Sequence, residues 1–299
     1  MSRDDVSLNV LYDLLSLLNE EESKSTFVIA IDFGTTYTGV AYAFYNKDEQ
    51  GTDTRRIAEK LEVFKSWPNT VQHNADKTPT IISYHTDPPT WGGNVKPQHS
   101  PQVAHFKLGL QPKIREHYSK SGSIPSTLAY LDPNWVNPVS GKSAVDFAAD
   151  YLSAVRKFVI EEALPRQFGK EFLKTQQISY VITVPAIWKD SAKSLTRQAA
   201  ERAGIPRRRL ELITEPEAAA LYCATISKEV DLDDGDRFLV CDAGGGTVVS
   251  LKFISYLICA RTLSPTLSSL ETHSKLKNVM KDLALHVGRF FSIKILRTF

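Results

Sequence analysis

The fold of this chain is decided by Phe27-Val-Ile-Ala-Ile-Asp-Phe-Gly-Thr-Thr-Tyr37. The first five residues are apolar and mostly β-branched or aromatic, a composition typical of a buried strand. From Asp32 onward the stretch is a turn of small and hydroxyl-bearing residues, and Gly39–Tyr45 is predicted to return as its hairpin partner. Because glycine lets the backbone approach a ligand closely, such a turn can offer N–H groups to phosphate oxygens.

A second turn of the same design lies about 210 residues further along the chain. Phe238–Cys241 is predicted to be a strand, and Asp242-Ala-Gly-Gly-Gly-Thr247 follows it. Each turn begins with an aspartate, and a hydrated Mg²⁺ usually takes only one or two carboxylates. Neither turn has the spacing of a P-loop or of G-x-G-x-x-G, so Walker and Rossmann sites are disfavoured. The two turns together predict a phosphate site that includes magnesium.

Strands and helices alternate in the middle of the chain, which predicts an α/β fold. The expected elements are the strands Ile178–Val184 and Leu210–Ile213 and helices that begin at Ser143, Asp190 and Thr214. Ser143-x-x-Asp146 has the pattern of a capping box, Asp190 is predicted to cap the next helix, and Gly204 is predicted to end it. Residues 66–142 are expected to form edge strands and long loops.

Length and composition are those of a globular protein with room for about two domains. The chain has 299 residues, of which 42% are hydrophobic and 23% charged, so a disordered or fibrous protein is excluded. Its three cysteines are too scattered for a disulfide framework or a CxxC metal site. The net charge of +2 hides a split, because residues 251–299 contain eight basic and two acidic residues while residues 1–250 contain 28 basic and 32 acidic ones.

Several conspicuous side chains are assigned to ordinary structural roles. Arg207-Arg208-Arg209 is expected to be a solvated turn and not a nucleic-acid site. The histidines His85, His99 and His105 lack metal-ligand spacing, and the four tryptophans are expected to pack in the core. No segment has the pattern of a signal peptide or a membrane span, so a cytoplasmic location, or else a nuclear one, is expected.

Four segments, in order along the chain, carry a resemblance to a known family: Ile31-Asp-Phe-Gly-Thr-Thr-Tyr37, Val181-Ile-Thr-Val-Pro-Ala-Ile-Trp-Lys-Asp190, Leu212-Ile-Thr-Glu-Pro-Glu-Ala-Ala-Ala220 and Val240-Cys-Asp-Ala-Gly-Gly-Gly-Thr-Val248. They resemble motifs of the actin-like ATPase superfamily, and specifically of the heat-shock protein 70 chaperones. Pro-Ala-Ile-Trp and Glu-Pro-Glu-Ala-Ala resemble its divergent branch of heat-shock 70 kDa protein 12 type. The resemblance implies an actin-like ATPase (ribonuclease H-like) fold, with the first lobe and only the start of the second.

The resemblance also implies that the chain binds ATP or ADP together with Mg²⁺. The phosphates would be bound by residues of the two turns, namely Gly34, Thr35, Thr36 and Tyr37 in the first and Gly244, Gly245, Gly246 and Thr247 in the second. Asp32 and Asp242 would orient the metal through water, with Asp242 also taking part in catalysis, and Glu215 would lie near the attacking water. Lys107 is the candidate for stabilising charge on the γ-phosphate, and Pro185 matches a relay proline between nucleotide and lobe rotation.

The resemblance does not extend to the last part of the chain. The family repeats an aspartate at the position of Val249, and its adenosine-binding loop is not found beyond Ser250. Two explanations stay open for the basic tail: a truncated or misassembled gene product, which the abrupt loss of the pattern favours, or a genuine segment that binds an anionic partner. The predicted divisions are an N-terminal amphipathic extension at 1–25, the first lobe at 26–232, the start of the second lobe at 233–250, and a poorly ordered tail at 251–299.

The expected parent activity is ATP hydrolysis by in-line attack of water, coupled to closure of two lobes. Weak nucleotide binding and little or no turnover are expected for this chain. Two alternatives stay open: a non-catalytic interaction module or pseudo-ATPase, and a sugar-kinase-like phosphotransferase, for which the sequence offers no carboxylate base beside a sugar pocket. Nucleotide is the partner implied. Protein partners and co-chaperones are not identified, and binding to nucleic acid or membrane, or a peptide-binding domain, is not expected.

Overall fold

The structure is a computed structural model that describes residues 25–46, 62–69, 75–111, 139, 141–216, 218, 237–243, 248–254 and 294–297. Residues 1–24 of the predicted N-terminal extension and the glycine-rich part of the second turn, residues 244–247, lie outside the described residues.

The described elements are strands and helices of a mixed α/β fold, as predicted, and they alternate in the middle of the chain from residue 144 to residue 214. The strands are β1 (Ser25–Phe33), β2 (Tyr37–Asn46), β3 (Glu62–Val63), β4 (Lys77–Pro79), β5 (Ile81–Ser83), β6 (Thr90–Trp91), β7 (Gln102–Ala104), β8 (Gln177–Val184), β9 (Leu210–Thr214), β10 (Arg237–Ala243), β11 (Val248–Ile254) and β12 (Lys294–Arg297). The α-helices are α1 (Ala144–Lys157), α2 (Leu164–Phe168), α3 (Lys170–Thr175) and α4 (Asp190–Arg202). Short 3-10 or π-helical turns lie at Gly92–Asn94, Phe106–Leu110, Phe158–Ala163 and Arg207–Arg209.

The principal sheet has the strand order β3-β2-β1-β8-β9, and β4 also pairs with β2. β1 and β2 form the predicted antiparallel hairpin, in which Asp32 lies opposite Gly39. β1, β8 and β9 run parallel to one another. Because parallel neighbours need a crossover connection, α1 lies in the connection from β1 to β8 and α4 in the connection from β8 to β9.

β1 is the central strand and is covered on both faces. Each residue from Phe27 to Phe33 is at most 2% exposed. A strand buried on both faces has a continuous apolar sequence without polar alternation, which explains why this one could be predicted. Aromatic rings pack at both ends of it: Phe27 lies 5.8 Å from Tyr42, and Phe33 lies 6.2 Å from Tyr151, measured between ring centroids.

Helix α1 begins at the predicted capping box. The N–H of Asp146 donates to the Ser143 hydroxyl at 3.3 Å, and the N–H of Ser143 donates to the Asp146 carboxylate at 2.8 Å. The same carboxylate contacts Arg202 at the end of α4, and the two helices pack together. The capping box therefore joins the start of one helix to the end of the other.

Helix α4 differs from its prediction at one end. The prediction that Asp190 caps this helix is wrong, because Lys189 is the N-cap residue and Asp190 is already helical. Asp190 lies in the first turn of the helix, where its negative charge interacts favourably with the positive end of the helix dipole. At the other end, Gly204 follows the helix with a φ of 85°, a conformation that ends helices and favours glycine, as predicted.

Two smaller sheets complete the described elements. β5 pairs with β6 and β7, and this sheet occupies the segment expected to contain edge strands and loops. β10 lies between β11 and β12. Residues 251–254 and 294–297, which belong to the segment predicted to be poorly ordered, are therefore strand residues in the structure.

Three of the four tryptophans predicted to pack in the core are described, and Trp135 lies outside the described residues. Trp67, Trp91 and Trp188 are buried, and Arg207 and Arg208 are exposed. Among the described residues, no helix has the length and apolar character needed to cross a bilayer.

Candidate functional site

The carboxyl ends of β1, β8 and β9 meet at one edge of the principal sheet. These strands run parallel, and in open α/β sheets ligands bind outside the carboxyl ends of the strands. Asp32 lies at the end of β1, Pro185 directly follows β8, and Glu215 directly follows β9. The fold thus brings three of the predicted site residues, which are distant in sequence, to a common edge.

Asp32 is a buried carboxylate with partners on both oxygens. It is 1% exposed. The Thr183 hydroxyl donates to Oδ1 at 2.8 Å, and the Lys77 ammonium donates to Oδ2 at 2.6 Å. Such partners are required, since an uncompensated charge in a protein interior costs about 3–5 kcal/mol.

The turn that follows Asp32 is fixed at two points. The N–H of Gly34 donates to the Asp32 carbonyl at 3.0 Å, and the N–H of Thr80 donates to the Thr36 carbonyl at 2.8 Å. A Cβ on Gly34 would lie 2.2 Å from the carbonyl oxygen of Tyr37, so only glycine fits this position. Tyr37 is 53% exposed, and the intervening threonines are partly exposed, so the turn is accessible to a ligand.

Lys107 and Glu215 form a buried ion pair. Lys107 Nζ lies 2.7 Å from Glu215 Oε1, and the two residues are 2% and 8% exposed. Lys107 belongs to the 3-10 turn Phe106–Leu110, and Glu215 is the first helical residue after β9. The structure therefore brings together the two residues that were assigned to charge stabilisation and to the attacking water. It also excludes a solvated surface position for the lysine.

Aromatic rings surround the ammonium of Lys107. Its Nζ lies 5.8 Å from the ring centroid of Phe33 and 5.6 Å from that of Trp188, both within cation–π range. The N–H of Trp188 donates to the carbonyl of Pro185 at 3.1 Å. The predicted relay proline consequently begins a tight turn whose last residue contacts the lysine.

Lys77 reaches Asp32 along a row of residues that crosses three strands. Asp32 lies opposite Gly39 in the β1–β2 pair, and Gly39 lies opposite Lys77 in the β2–β4 pair. Two strand spacings, about 10 Å, separate the outer members of the row. A Cβ on Gly39 would lie 3.3 Å from Cγ of Lys77. The lysine stem therefore crosses β2 in the space that a side chain at position 39 would occupy.

Tyr151 of α1 supports β4, the strand that carries Lys77. Its hydroxyl donates to the Pro79 carbonyl at 3.0 Å, and the hydroxyls of Thr38 and Thr80 lie 2.9 Å apart. Burial raises the pKa of Tyr151, against a smaller opposing effect of hydrogen bonds with the two threonines. The phenol consequently stays protonated and keeps donating to β4 throughout the neutral range.

Most of the second predicted turn lies outside the described residues. Gly244, Gly245, Gly246 and Thr247 are not described. The predicted strand before them is confirmed as β10, in which the main chain of Asp242 lies opposite Val249. The phosphate and metal roles assigned to this turn and to Asp242 stay predictions.

The described residues do not by themselves fit a resident magnesium ion. In the described ranges, no three His, Cys, Asp or Glu side chains lie together, so the described residues do not form an all-protein metal cage. Asp32 is already engaged by Thr183 and by the ammonium of Lys77, and a cation there opposes the approach of a second cation. Mg²⁺ prefers oxygen ligands and keeps several waters, so its predicted place beside Asp32 competes with a lysine.

Lys77 and Thr183 carry no signal in the sequence that marks them as site residues. A lysine before Thr-Pro on a short strand has the appearance of an ordinary solvated side chain, and Thr183 lies inside an apolar strand pattern. Their partner Asp32 is 45 and 151 residues away, respectively. These contacts depend on how β4 pairs with β2 and β8 with β1, for which the sequence carries no local signal.

Comparison with known proteins places the chain in a family. The family described as Hsp70 protein matches residues 76–255. Heat shock 70 kDa protein 12A of Homo sapiens is 27% identical over 305 residues, covering 80% of this chain and 42% of the relative. Its counterpart in Mus musculus is 27% identical over 293 residues, covering 76% and 40%. Heat shock 70 kDa protein 12B of Homo sapiens is 26% identical over 235 residues, covering 73% and 31%.

The chain therefore spans about two fifths of the length of these relatives, or less. The matched range includes β4, Lys107, β8, β9 and β10. The similarity to proteins 12A and 12B supports the divergent branch that the Pro-Ala-Ile-Trp and Glu-Pro-Glu-Ala-Ala variants predict. A mixed sheet with an aspartate, a glycine turn and a buried lysine–glutamate pair at its carboxyl edge fits the same conclusion: the chain belongs to the Hsp70 family and has the actin-like ATPase fold of its nucleotide-binding domain.

Proposed function

We propose that this chain binds ATP and ADP at the carboxyl edge of the principal sheet and that it hydrolyses ATP slowly. The observation that carries the proposal is the buried pair of Lys107 and Glu215, 2.7 Å apart, at the same edge as Asp32 and its glycine turn. A buried ammonium held in place at the carboxyl edge of an α/β sheet, where ligands bind, is positioned to stabilise charge during a reaction. Family membership supports the nucleotide, and in the family Mg²⁺ accompanies it.

The phosphates would be bound by main-chain N–H groups of the first turn. Gly34 is confined to glycine by its contact with the Tyr37 carbonyl, and the turn is held against β4 by the Thr80 N–H. A turn fixed in this way can bind an anion without first being ordered, which lowers the entropic cost of binding. Gly244 to Thr247 would bind phosphate from the second turn, next to Asp242.

Lys107 would stabilise negative charge on the terminal phosphate. Glu215, Phe33 and Trp188 hold its ammonium in place, so little reorganisation is needed when charge develops in the transition state. The aromatic surroundings also lower the local dielectric and strengthen its field. The Glu215 carboxylate would accept a hydrogen bond from the attacking water, and no covalent protein intermediate is needed.

Lobe closure would be coupled to this site through Pro185. The turn that begins at Pro185 ends at Trp188, which contacts Lys107, and α4 begins two residues later at Asp190. A displacement of the lysine toward a phosphate would therefore be transmitted to the start of a helix. This is the connection that a relay between nucleotide and lobe rotation requires.

Turnover is expected to be slow because Val249 provides no carboxylate where the family has one. Its main chain pairs with that of Asp242, at the end of the strand that leads into the second turn. Weak binding of nucleotide is expected as well, because the adenosine-binding loop of the family is not found beyond Ser250. A calorimetric titration with MgATP that gave a Kd tighter than about 10 μM, near −7 kcal/mol, would contradict this expectation.

The proposal is tested by comparing wild type with Lys107→Met in ADP titrations and in single-turnover release of radiolabelled phosphate. Removing the cation should slow phosphate release by about 10²–10³-fold, since one transition-state donor has that effect in other enzymes. ADP affinity should change much less. Because Glu215 would lose its partner, the double variant Lys107→Met/Glu215→Gln is measured in parallel to separate chemistry from folding.

Lys65→Met is the matched control. Lys65 is an exposed lysine paired with Asp76 at 3.5 Å, and its replacement should change neither binding nor phosphate release. Failure of the wild type to bind nucleotide in calorimetry or to be retained on ATP-agarose would overturn the proposal. Retention that Asp242→Asn abolishes, without any phosphate release, would identify a pseudo-ATPase.

A further inference from the structure

Resting on the proposed nucleotide function, we propose that Lys77 is a polyphosphate-binding residue of this site. It supplies the positive charge that a divalent cation would otherwise supply beside Asp32. The consequence is that ADP binding by this chain depends only weakly on Mg²⁺. Lys77 is absent from the motifs that carry the family resemblance.

The first observation is the position of the ammonium. Nζ of Lys77 lies 2.6 Å from Oδ2 of Asp32, the carboxylate to which the metal-orienting role is assigned. Asp32 is buried, while the Lys77 side chain is 19% exposed, so the lysine is the more accessible member of the pair. A ligand beside Asp32 would therefore have the ammonium of Lys77 within reach.

The second observation is that the sheet is built to hold the lysine there. Lys77, Gly39 and Asp32 are consecutive register partners across β4, β2 and β1. The stem of Lys77 packs over Gly39, because a Cβ there would lie 3.3 Å from Cγ and 3.6 Å from Cε of Lys77. β4 itself is held by Tyr151 through the Pro79 carbonyl. A lysine that merely covered the surface would need none of these features.

The third observation is the balance of charge. Asp32 is compensated by Lys77 and Glu215 by Lys107, so these two carboxylates at the described edge each have an ammonium within hydrogen-bond distance. A carboxylate whose charge is already compensated by an ammonium attracts a divalent cation less strongly. A polyphosphate carries its own negative charge and is attracted to an ammonium, which has three N–H donors and can bind Asp32 and a phosphate oxygen together.

The test is the dependence of ADP affinity on Mg²⁺. Wild type, Lys77→Met and Lys77→Arg are titrated with ADP by calorimetry, once with excess MgCl₂ and once with EDTA. The wild-type Kd should change by less than about threefold between the two conditions, and Lys77→Met should lose about tenfold or more in EDTA but little in MgCl₂. Lys77→Arg keeps the charge and should follow the wild type.

Two comparisons keep the result interpretable. Lys65→Met removes an exposed lysine that pairs with the neighbouring residue Asp76, and it should behave as wild type in both conditions. If Lys77→Met fails to fold because Asp32 loses its partner, Asp32→Asn/Lys77→Met is compared with Asp32→Asn in EDTA. The double variant should bind ADP about tenfold more weakly than the single one, since only the lysine differs between them.

The two proposals fail in different ways. A wild type that binds ADP in neither condition overturns the nucleotide function itself. A wild type that binds ADP in MgCl₂ but loses it in EDTA overturns the role of Lys77 and leaves the nucleotide function intact. The same holds if Lys77→Met, or the double variant relative to Asp32→Asn, shows no loss of affinity in EDTA.

Discussion

At the scale of single residues, two glycines determine how the sheet edge is built. Gly34 permits the first turn, because a Cβ there would collide with the main-chain carbonyl of Tyr37 at 2.2 Å. Gly39 permits the cross-sheet contact, because its missing side chain leaves room for the stem of Lys77. The first glycine therefore affects the shape of the turn that is proposed to bind phosphate, and the second affects the charge beside Asp32.

Gly34→Ala should weaken ADP binding by about tenfold or more, because the turn must shift to relieve the collision of the new Cβ with the Tyr37 carbonyl oxygen. Overpacking of this kind should also lower the free energy of unfolding by about 1–3 kcal/mol. Calorimetry with ADP and urea denaturation measure the two effects. The matched control is Gly204→Ala, at a φ of 85° after α4, which should lose about 1 kcal/mol of stability and leave ADP affinity unchanged. Equal ADP affinity of Gly34→Ala and wild type would contradict the assignment of this turn.

At the scale of elements, the junction of α1 with α4 is held by Asp146. Its carboxylate accepts from the Ser143 N–H at one helix start and contacts Arg202 at the other helix end. Burial by itself would raise the pKa of Asp146, but hydrogen bonds from Ser143 and the charges of Arg202 and Lys142 lower it below the ordinary value. The ionised form is consequently favoured in the folded state.

Asp146→Asn should lower the free energy of unfolding by about 0.5–1 kcal/mol at neutral pH, because Asn keeps an oxygen acceptor for the Ser143 N–H but loses the negative charge that interacts with Arg202 and with the start of the helix. A lowered pKa contributes stability above the unfolded value of about 3.9, and this contribution is lost as the pH falls through the folded-state pKa. The difference between variant and wild type should therefore stay constant from pH 7 to pH 5 and shrink below about pH 4.

Urea denaturation across this pH range tests the prediction. Glu161→Gln is the matched control, since Glu161 is 59% exposed and lies 3.9 Å from Arg156, a surface pair of little energetic weight. It should stay close to wild type at every pH. A difference between Asp146→Asn and wild type that grew toward low pH would contradict the assigned sign.

The elements that could be predicted from sequence are those set by local chemistry. The hairpin after Phe27, the capping box at Ser143 and the helix end at Gly204 each depend on a few adjacent residues. The start of α4 was misplaced by one residue, because both Lys189 and Asp190 can precede a helix and only the main-chain conformation distinguishes them. Such boundaries depend on packing that a local pattern does not contain.

At the scale of the whole molecule, the site is assembled from segments that are distant in sequence. Asp32, Lys107 and Glu215 were proposed from motifs, and the parallel strands bring the first and last of them to one edge. The contact of Lys77 with Asp32 could not be predicted, because it depends on the simultaneous registers of three strands. The motifs thus predict which single residues belong to the site. They do not predict the contacts between residues that strand pairing in the sheet brings together.

Val249→Asp should accelerate single-turnover phosphate release by about tenfold, because it restores a carboxylate at the position where the family has one. The main chain of Val249 pairs with Asp242, so the new charge enters the strand next to the second turn. Ser250→Asp places the same charge one residue further along β11 and should not accelerate release. Equal rates for the two variants would contradict the explanation of slow turnover.

The pairing of each ammonium with a carboxylate has a consequence for how fast the proposed nucleotide ligand would bind. A compensated pair acts on distant ions as a dipole, whose field decays faster than that of a net charge. The described edge, with Lys77 against Asp32 and Lys107 against Glu215, therefore offers little electrostatic steering to an approaching anion. Association should proceed at an ordinary diffusional rate that added salt hardly changes, and discrimination between anions should arise after encounter, in the lifetime of the complex.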